Sequence, residues 1–254
     1  MAIDLGKILD TFNDALFPGH TCACCGEEMK NKEWGVCEEC KNGLNLHNEK
    51  CCQKCGEPLD DIREKCPACV EEHYEFKRAI SCCEYNEVSG KLIKDLKYND
   101  KKYIAKIIAK FLAEAYSKSG VKADLVTFVP SSKITMKERG FNQGKLIAEE
   151  FSLLTGIPCA DLLVRAKEVN RQATLSGQER KENLKGAFKT KGNLNLRGQN
   201  LLLIDDVFST GTTLSECSKA LKSTRPKSII CLTFAKVHFL KAFESKIGPD
   251  CKKS

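Results

Sequence analysis

The segment Asn200 to Leu221 (NLLLIDDVFSTGTTLSECSKAL) constrains the fold more than any other part of the chain. It opens with Leu201, Leu202, Leu203 and Ile204, a short apolar run bounded by polar residues. Such a run suits a strand buried on both faces of a parallel sheet. Asp205 and Asp206 stand where that strand would end, and Ser209, Thr210, Gly211, Thr212 and Thr213 form a hydroxyl-rich turn around one glycine. Leu214, Cys217, Ser218 and Leu221 then recur at helical spacing, and Thr213 with Glu216 fits a capping box.

In an open parallel sheet, ligands bind beyond the carboxyl ends of the strands. The loop offers backbone N–H groups, hydroxyls and the positive end of a helix dipole, which together suit a phosphate. Two carboxylates would repel that phosphate unless they serve something else, such as neutral ribose hydroxyls or a magnesium ion. The local chemistry therefore asks for a ribose 5-phosphate group. An ordinary strand-to-helix turn accounts for Gly-Thr-Thr alone, but not for an acidic pair behind a buried strand. The segment is no Walker A loop, since no Gly-Lys-Ser/Thr follows; residues 140–145 (GFNQGK) are one residue short of that motif, with Leu146 where a hydroxyl is needed. No Gly-x-Gly-x-x-Gly occurs, which argues against a dinucleotide site.

IDDVFSTGTT resembles the binding signature of type I phosphoribosyltransferases, which use 5-phosphoribosyl 1-diphosphate (PRPP). The resemblance implies an α/β fold, a parallel sheet flanked by helices. It gives Asp205 and Asp206 the ribose hydroxyls and the stabilisation of charge developing on the ring. Ser209, Thr210, Gly211, Thr212 and Thr213 receive the 5-phosphate, with Mg²⁺ on the diphosphate.

The cysteines mark a second unit. Ten of the 16 lie between Cys22 and Cys69, in four CxxC knuckles: Cys22/Cys25, Cys37/Cys40, Cys52/Cys55 and Cys66/Cys69. Two knuckles complete a tetrahedral zinc site, so two structural zinc ions are expected. The near-equal intervals Cys25–Cys37 and Cys55–Cys66 suggest one zinc ribbon repeated. Sequential pairing of the knuckles is preferred over an interleaved cross-brace, which spacing alone does not exclude. Cys24 and Cys51 read as spare, and His20, His47 and His73 as unneeded alternatives. Closed four-cysteine sites hold a segment folded and leave no position open for catalysis.

Charge divides the chain near the same place. Residues 1–80 hold 10 basic and 16 acidic side chains, a balance of −6, whereas residues 81–254 hold 31 and 18, a balance of +13. The basic part can attract a polyphosphate or nucleic acid. No apolar run is long enough for a membrane span, and Asp4, Asp10 and Asp14 interrupt the N-terminus where a signal peptide would be apolar. A cytoplasmic protein without membrane insertion is expected, and with it reduced, metal-binding cysteines rather than disulfides. Leu5, Ile8, Leu9, Phe12 and Leu16 read as a short amphipathic helix. The expected division is residues 1–76 for this helix and the double ribbon, 77–240 for the phosphoribosyltransferase-like domain, and 241–254 for a tail.

Within the basic part, Ala79–Tyr85, Asp124–Pro130, Leu162–Val164 and Ser228–Ala235 read as strands. Helices are expected from Gly90 onward, with Leu92, Ile93, Leu96, Ile104, Ile107, Ile108, Phe111 and Leu112 facing inward, and again over 144–154. Most of the lysines between Lys91 and Lys110 read as a solvated face, with a phosphate-backbone track as the alternative. By the phosphoribosyltransferase resemblance, the loop with Ser131 and Lys133 approaches the diphosphate, and Arg139 is a candidate for substrate binding nearby. The polar, basic stretch 165–188 reads as a lid over an anionic substrate or as a surface excursion.

The tandem ribbon, then Arg139-Gly-Phe-Asn-Gln143, Gln172, Leu175, Arg180, Asn183, Ala187-Phe188 and IDDVFSTGTT, together resemble the ComF family over residues 16–236. In naturally competent bacteria members of that family support DNA uptake and transformation on the cytoplasmic side, and most members have no assigned acceptor. Three roles follow from the resemblance: a phosphoribosyltransferase of unknown acceptor, a PRPP-binding regulator without transfer, or an accessory protein. The last would bind single-stranded DNA through its basic surface and a partner, such as a helicase, through its ribbon.

Overall fold

The computed structural model describes residues 21–29, 33–47, 50–59, 64–167 and 182–238. The expected N-terminal helix, His20 and the centre of the lid stretch lie outside these residues. Four parallel strands form the sheet in the order β1-β6-β5-β2, where β1 is Arg78–Glu84, β2 Leu125–Phe128, β5 Asn200–Phe208 and β6 Ser228–Lys236. The apolar run Leu201–Ile204 thus occupies β5, a central strand, as its continuous hydrophobicity requires. Two short strands, β3 (Leu163–Arg165) and β4 (Phe188–Thr190), pair antiparallel outside that sheet. The short strand expected at Leu162–Val164 therefore exists one residue on, as the base of the 165–188 excursion. Its ends are pinned together there.

Side chains alternate along a strand, so each strand feeds two cores. Leu202 and Ile204 of β5, with Ile230, Leu232 and Phe234 of β6, face one cluster, while Leu201, Leu203, Ile229 and Cys231 face the other. The first cluster is covered by α3 (Glu87–Tyr98), α4 (Ile104–Lys118) and α6 (Gln143–Thr155). The expected helical region from Gly90 is two helices: α3 begins at a capping box of Asn86 and Ser89, and the chain breaks at Asn99–Tyr103 before α4. The second cluster is covered by α7 (Thr212–Lys222) and the β3–β4 pair.

The ribbons are divided between these two cores. Ribbon one, with helix α1 (Glu38–Gly43), contributes Cys22, Cys24, Met29 and Val36 to the first cluster, where Trp34 stacks 4.8 Å from Phe111 of α4. Ribbon two, with the single turn α2 (Pro67–Glu71), contributes Cys52, Cys55, Cys66 and Cys69 to the second. Between them the linker runs antiparallel beside the edge strand β1, with the His47 N–H donating to the Cys82 carbonyl at 2.8 Å and Leu46 bridging Cys83. The tandem ribbon therefore straddles the β1 edge, one ribbon on each face, and covers a row of backbone groups that would otherwise invite pairing.

Candidate functional site

β5 ends inside the site. Asp206 continues the face of Leu202 and Ile204, and only 4% of its surface is accessible. It meets the Lys97 ammonium from the last turn of α3, and the Gln143 side-chain amide donates to its other oxygen at 3.2 Å. Asp205 points to the opposite face and accepts the Asp206 backbone N–H at 2.9 Å. Their charges separate accordingly. Burial, then the neighbouring Asp206 charge, pushes the Asp205 carboxyl well above its ordinary range. Burial opposes the Asp206 charge as well, but Lys97 and the Gln143 amide outweigh it and hold that carboxyl below its ordinary range. One ionised carboxylate and one that keeps its proton more readily sit side by side.

The segment after β2 reaches the same end of the sheet, because Phe128 pairs with Ile204 and the Val129 N–H donates to the Ile204 carbonyl at 3.0 Å. Ser131 is half-buried there, Ser132 caps α5 (Lys133–Arg139) by accepting the Thr135 N–H at 3.0 Å, and Lys133 is exposed on its first turn. Gly140, at φ 77°, ends α5 in the left-handed conformation. Asn142 then caps α6 and ties it to β2 through a 3.0 Å bond to the Val129 carbonyl. These two turns aim both flanking side chains inward. Arg139 lies 4.6 Å over the Tyr98 ring, donates to the Tyr98 hydroxyl at 2.9 Å and to the Gln143 carbonyl oxygen at 3.3 Å. A chain Arg139–Gln143–Asp206–Lys97 thus joins α5, α6, β5 and α3. The Arg139 Nε–H is buried with no acceptor among the described residues, a donor left for something else to satisfy.

Beyond β5 the loop turns at Gly211, at φ 74°. A Cβ there would lie 2.6 Å from Phe208 and 2.7 Å from Tyr74, so glycine is required by both conformation and space. Ser209 is exposed, Thr210 and Thr213 are half-buried and Thr212 is buried, with the Thr210 and Thr212 hydroxyls 2.9 Å apart. The expected capping box of Thr213 and Glu216 is absent. Gly211 is the N-cap and offers no side chain, the Thr210 hydroxyl accepts the Thr212 N–H at 3.4 Å, and Glu216 instead accepts the Gly186 N–H at 2.8 Å beside β4. With glycine at the N-cap, the next N–H groups, of Thr213 and Leu214, have no side-chain acceptor among the described residues, which is what an anion needs. A cleft of about 240 Å³ opens beside them between Tyr74, Lys185, Thr212, Ser215 and Glu216.

Cysteine pairing is sequential. The sulfurs of Cys22, Cys25, Cys37 and Cys40 lie within 4.8 Å of one another, as do those of Cys52, Cys55, Cys66 and Cys69. Cys24 and Cys51 stand outside both tetrads, and His47 turns its Nδ1 to the Ser81 carbonyl at 3.1 Å. Both tetrads have the donor set and convergence of structural zinc sites.

Three functional side chains are not legible as such in the local sequence. Lys97 reads as one of the solvated lysines, although its position four residues after Ile93 continues the buried stripe of α3. Tyr74 reads as one of few ribbon aromatics, yet its hydroxyl donates to the Thr210 carbonyl at 3.2 Å. Gln143 reads only as part of the family-like Arg139–Gln143 segment. Nothing in its local sequence pointed to Asp206.

A parallel sheet carrying an acidic pair and a glycine-turned helix start is a phosphoribosyltransferase-like arrangement. The chain belongs to the phosphoribosyl transferase domain family, which it matches over residues 97–247, and it matches the double zinc ribbon domain over residues 12–70. A double ribbon ahead of that domain is the ComF arrangement. The chain is 27% identical over 208 residues to the DNA utilization protein YhgH of Salmonella typhimurium, covering 79% of this chain and 89% of the relative. It is likewise 27% identical to competence protein F of Haemophilus influenzae (79% and 90% covered) and 26% identical to competence protein ComFC of Bacillus subtilis (73% and 77%). Among solved structures it resembles Leishmania donovani UMP synthase at 20% identity and a TM-score of 0.34, covering 62% of this chain and 27% of that one, a likeness too slight to carry an argument. No helix among the described residues is long and apolar enough to cross a membrane.

Proposed function

We propose that this protein binds PRPP at the carboxyl end of β5 and serves DNA uptake or a related nucleotide process. The observation that carries the reading is the pairing of a half-neutralised acid pair with a glycine-turned helix start at the end of one central strand. In this reading the loop 209–213 takes the 5-phosphate through backbone N–H groups and hydroxyls. Asp205 and Asp206 accept hydrogen bonds from the two ribose hydroxyls. Asp206, kept ionised by Lys97, faces the positive charge that develops on the ring as the C1–O bond breaks, a contribution of the kind worth about 2.7–4 kcal/mol. Ser131 and Lys133 lie at the end of the sheet where the diphosphate would leave, and Arg139, whose Nε–H has no acceptor among the described residues, would meet an anionic group. Magnesium bound with the diphosphate would neutralise part of its charge. The names of the relatives, competence and DNA utilization proteins, support the process assigned.

Thermal unfolding with PRPP and Mg²⁺ tests the binding step. PRPP raises the melting temperature of the native protein, and the double change Asp205→Asn with Asp206→Asn abolishes the rise. An unshifted native protein overturns the proposal. Diphosphate release with candidate bases then separates transfer from binding alone.

A further inference from the structure

The two ribbons look alike in sequence, but they occupy unlike positions relative to the site. Ribbon one packs against α4, on the face away from the anion loop. Ribbon two and the segment that leaves it, Glu72–Phe76, form the back wall of that loop. Tyr74 stacks on Phe76 at 5.0 Å and meets Phe208 edge-on at 6.1 Å, filling the space where Gly211 has no Cβ. Its hydroxyl holds the Thr210 carbonyl, and the Glu75 N–H donates to the Ser215 hydroxyl at 3.0 Å. Glu75 also pairs with Lys222 at the far end of α7, at 2.5 Å. Three contacts thus run from one five-residue segment to the loop and to both ends of the helix behind it.

That segment is in turn fixed by the second tetrad's ribbon. Lys54, between Cys52 and Cys55, donates to the carbonyls of Tyr74 and Phe76, and the Ala79 N–H donates to the Lys54 carbonyl at 2.9 Å. Gly56, directly after Cys55, packs so closely that a Cβ would lie 3.1 Å from the Ala79 carbonyl oxygen. Glu57 reaches the fully buried Lys236 at 3.2 Å, and the Lys236 ammonium sits 4.0 Å over the ring of Phe208, the last residue of β5.

We propose that ribbon two is part of the anion loop's scaffold, with Tyr74 as the positioning residue. Filling of the Cys52–Cys55–Cys66–Cys69 tetrad and filling of the loop then favour one another, while ribbon one is uncoupled. The inference deepens the PRPP reading, but its structural half stands without it. By linkage, whatever the metal does for the loop, a loop ligand does for the metal.

The test uses the zinc-loaded full chain, native and as Tyr74→Phe, with Tyr116→Phe on the opposite face as control. Hydrogen exchange is followed over residues 209–216. A chelator then strips zinc, and alkylation with mass spectrometry reports which tetrad releases its thiols. Tyr74→Phe speeds exchange of the loop amides about tenfold and speeds release from the second tetrad alone. In the native protein Mg²⁺ with PRPP slows release from the second tetrad and leaves the first unchanged. Loop exchange and second-tetrad release both unaltered in Tyr74→Phe would overturn the coupling, as would equal changes at both tetrads. If Tyr74→Phe loosens loop and second tetrad while PRPP affects neither in the native chain, the coupling holds and the PRPP reading fails.

Discussion

Replacing Lys97 with methionine disturbs the electrostatics of the site without touching either carboxylate. The Lys97 and Asp206 side chains are 19% and 6% exposed, so the pair is largely out of water. Methionine keeps the aliphatic stem and leaves the Asp206 charge against the Gln143 amide and the neighbouring Asp205. Removing one member of a buried pair costs about 3–5 kcal/mol, and the partial exposure of the lysine lowers the expectation to about 2–3 kcal/mol. For a chain of this size the melting temperature should fall by about 4–12 °C. The pH dependence has a definite sign. Without the ammonium the folded carboxylates retain a proton that unfolded aspartates, with pKa about 3.9, have lost. The folded state then binds more protons than the unfolded one, so stability falls as pH rises from about 5 to 8. Calorimetry of the native protein, Lys97→Met, Asp206→Asn and the double variant closes a cycle whose coupling energy should be about 1–3 kcal/mol. A coupling within about 0.3 kcal/mol of zero, or a loss of stability that does not grow with pH, refutes the account of the acid pair.

Asp205→Asn removes the carboxyl whose folded pKa is raised, and with it the loss of stability that this group causes as pH climbs above about 4. The variant should therefore melt at or above the native temperature at pH 8, with the advantage shrinking toward pH 4, while losing its response to PRPP. A variant less stable than native at pH 8 contradicts this. Gly211→Ala combines a left-handed backbone with contacts of 2.6 and 2.7 Å, and should lower stability in urea by about 2–4 kcal/mol. Gly198→Ala, also left-handed at φ 83° but with open space around its Cβ, serves as control and should lose only about 1 kcal/mol. Metal analysis should find about two zinc ions per chain, unchanged in Cys24→Ser and Cys51→Ser, since both cysteines stand outside the tetrads. One zinc or none overturns the double-site assignment.

Much of this architecture was legible because it is local. The apolar run Leu201–Ile204 identified a central parallel strand, and the CxxC spacing identified both tetrads. What stayed hidden was long-range. Lys97 meets Asp206 across 109 residues and Tyr74 meets Thr210 across 136, and neither partner changes its local pattern to announce the other. The capping box failed for a related reason. Thr213 and Glu216 have the right spacing, but Gly211 sets the helix start two residues earlier, and Glu216 is claimed by the chain beside β4. The division of the ribbons between two faces of the sheet was equally invisible, because the CxxC spacing that the two repeats share gives no sign of what each will cover.

Calorimetric titration of the zinc-loaded protein with PRPP in the presence of Mg²⁺, run beside the Asp205→Asn, Asp206→Asn double variant, tests the central claim most directly. The account predicts saturable binding to one site per chain in the native protein and none in the double variant. Absence of binding to the native chain, or binding that the double variant retains undiminished, would contradict it.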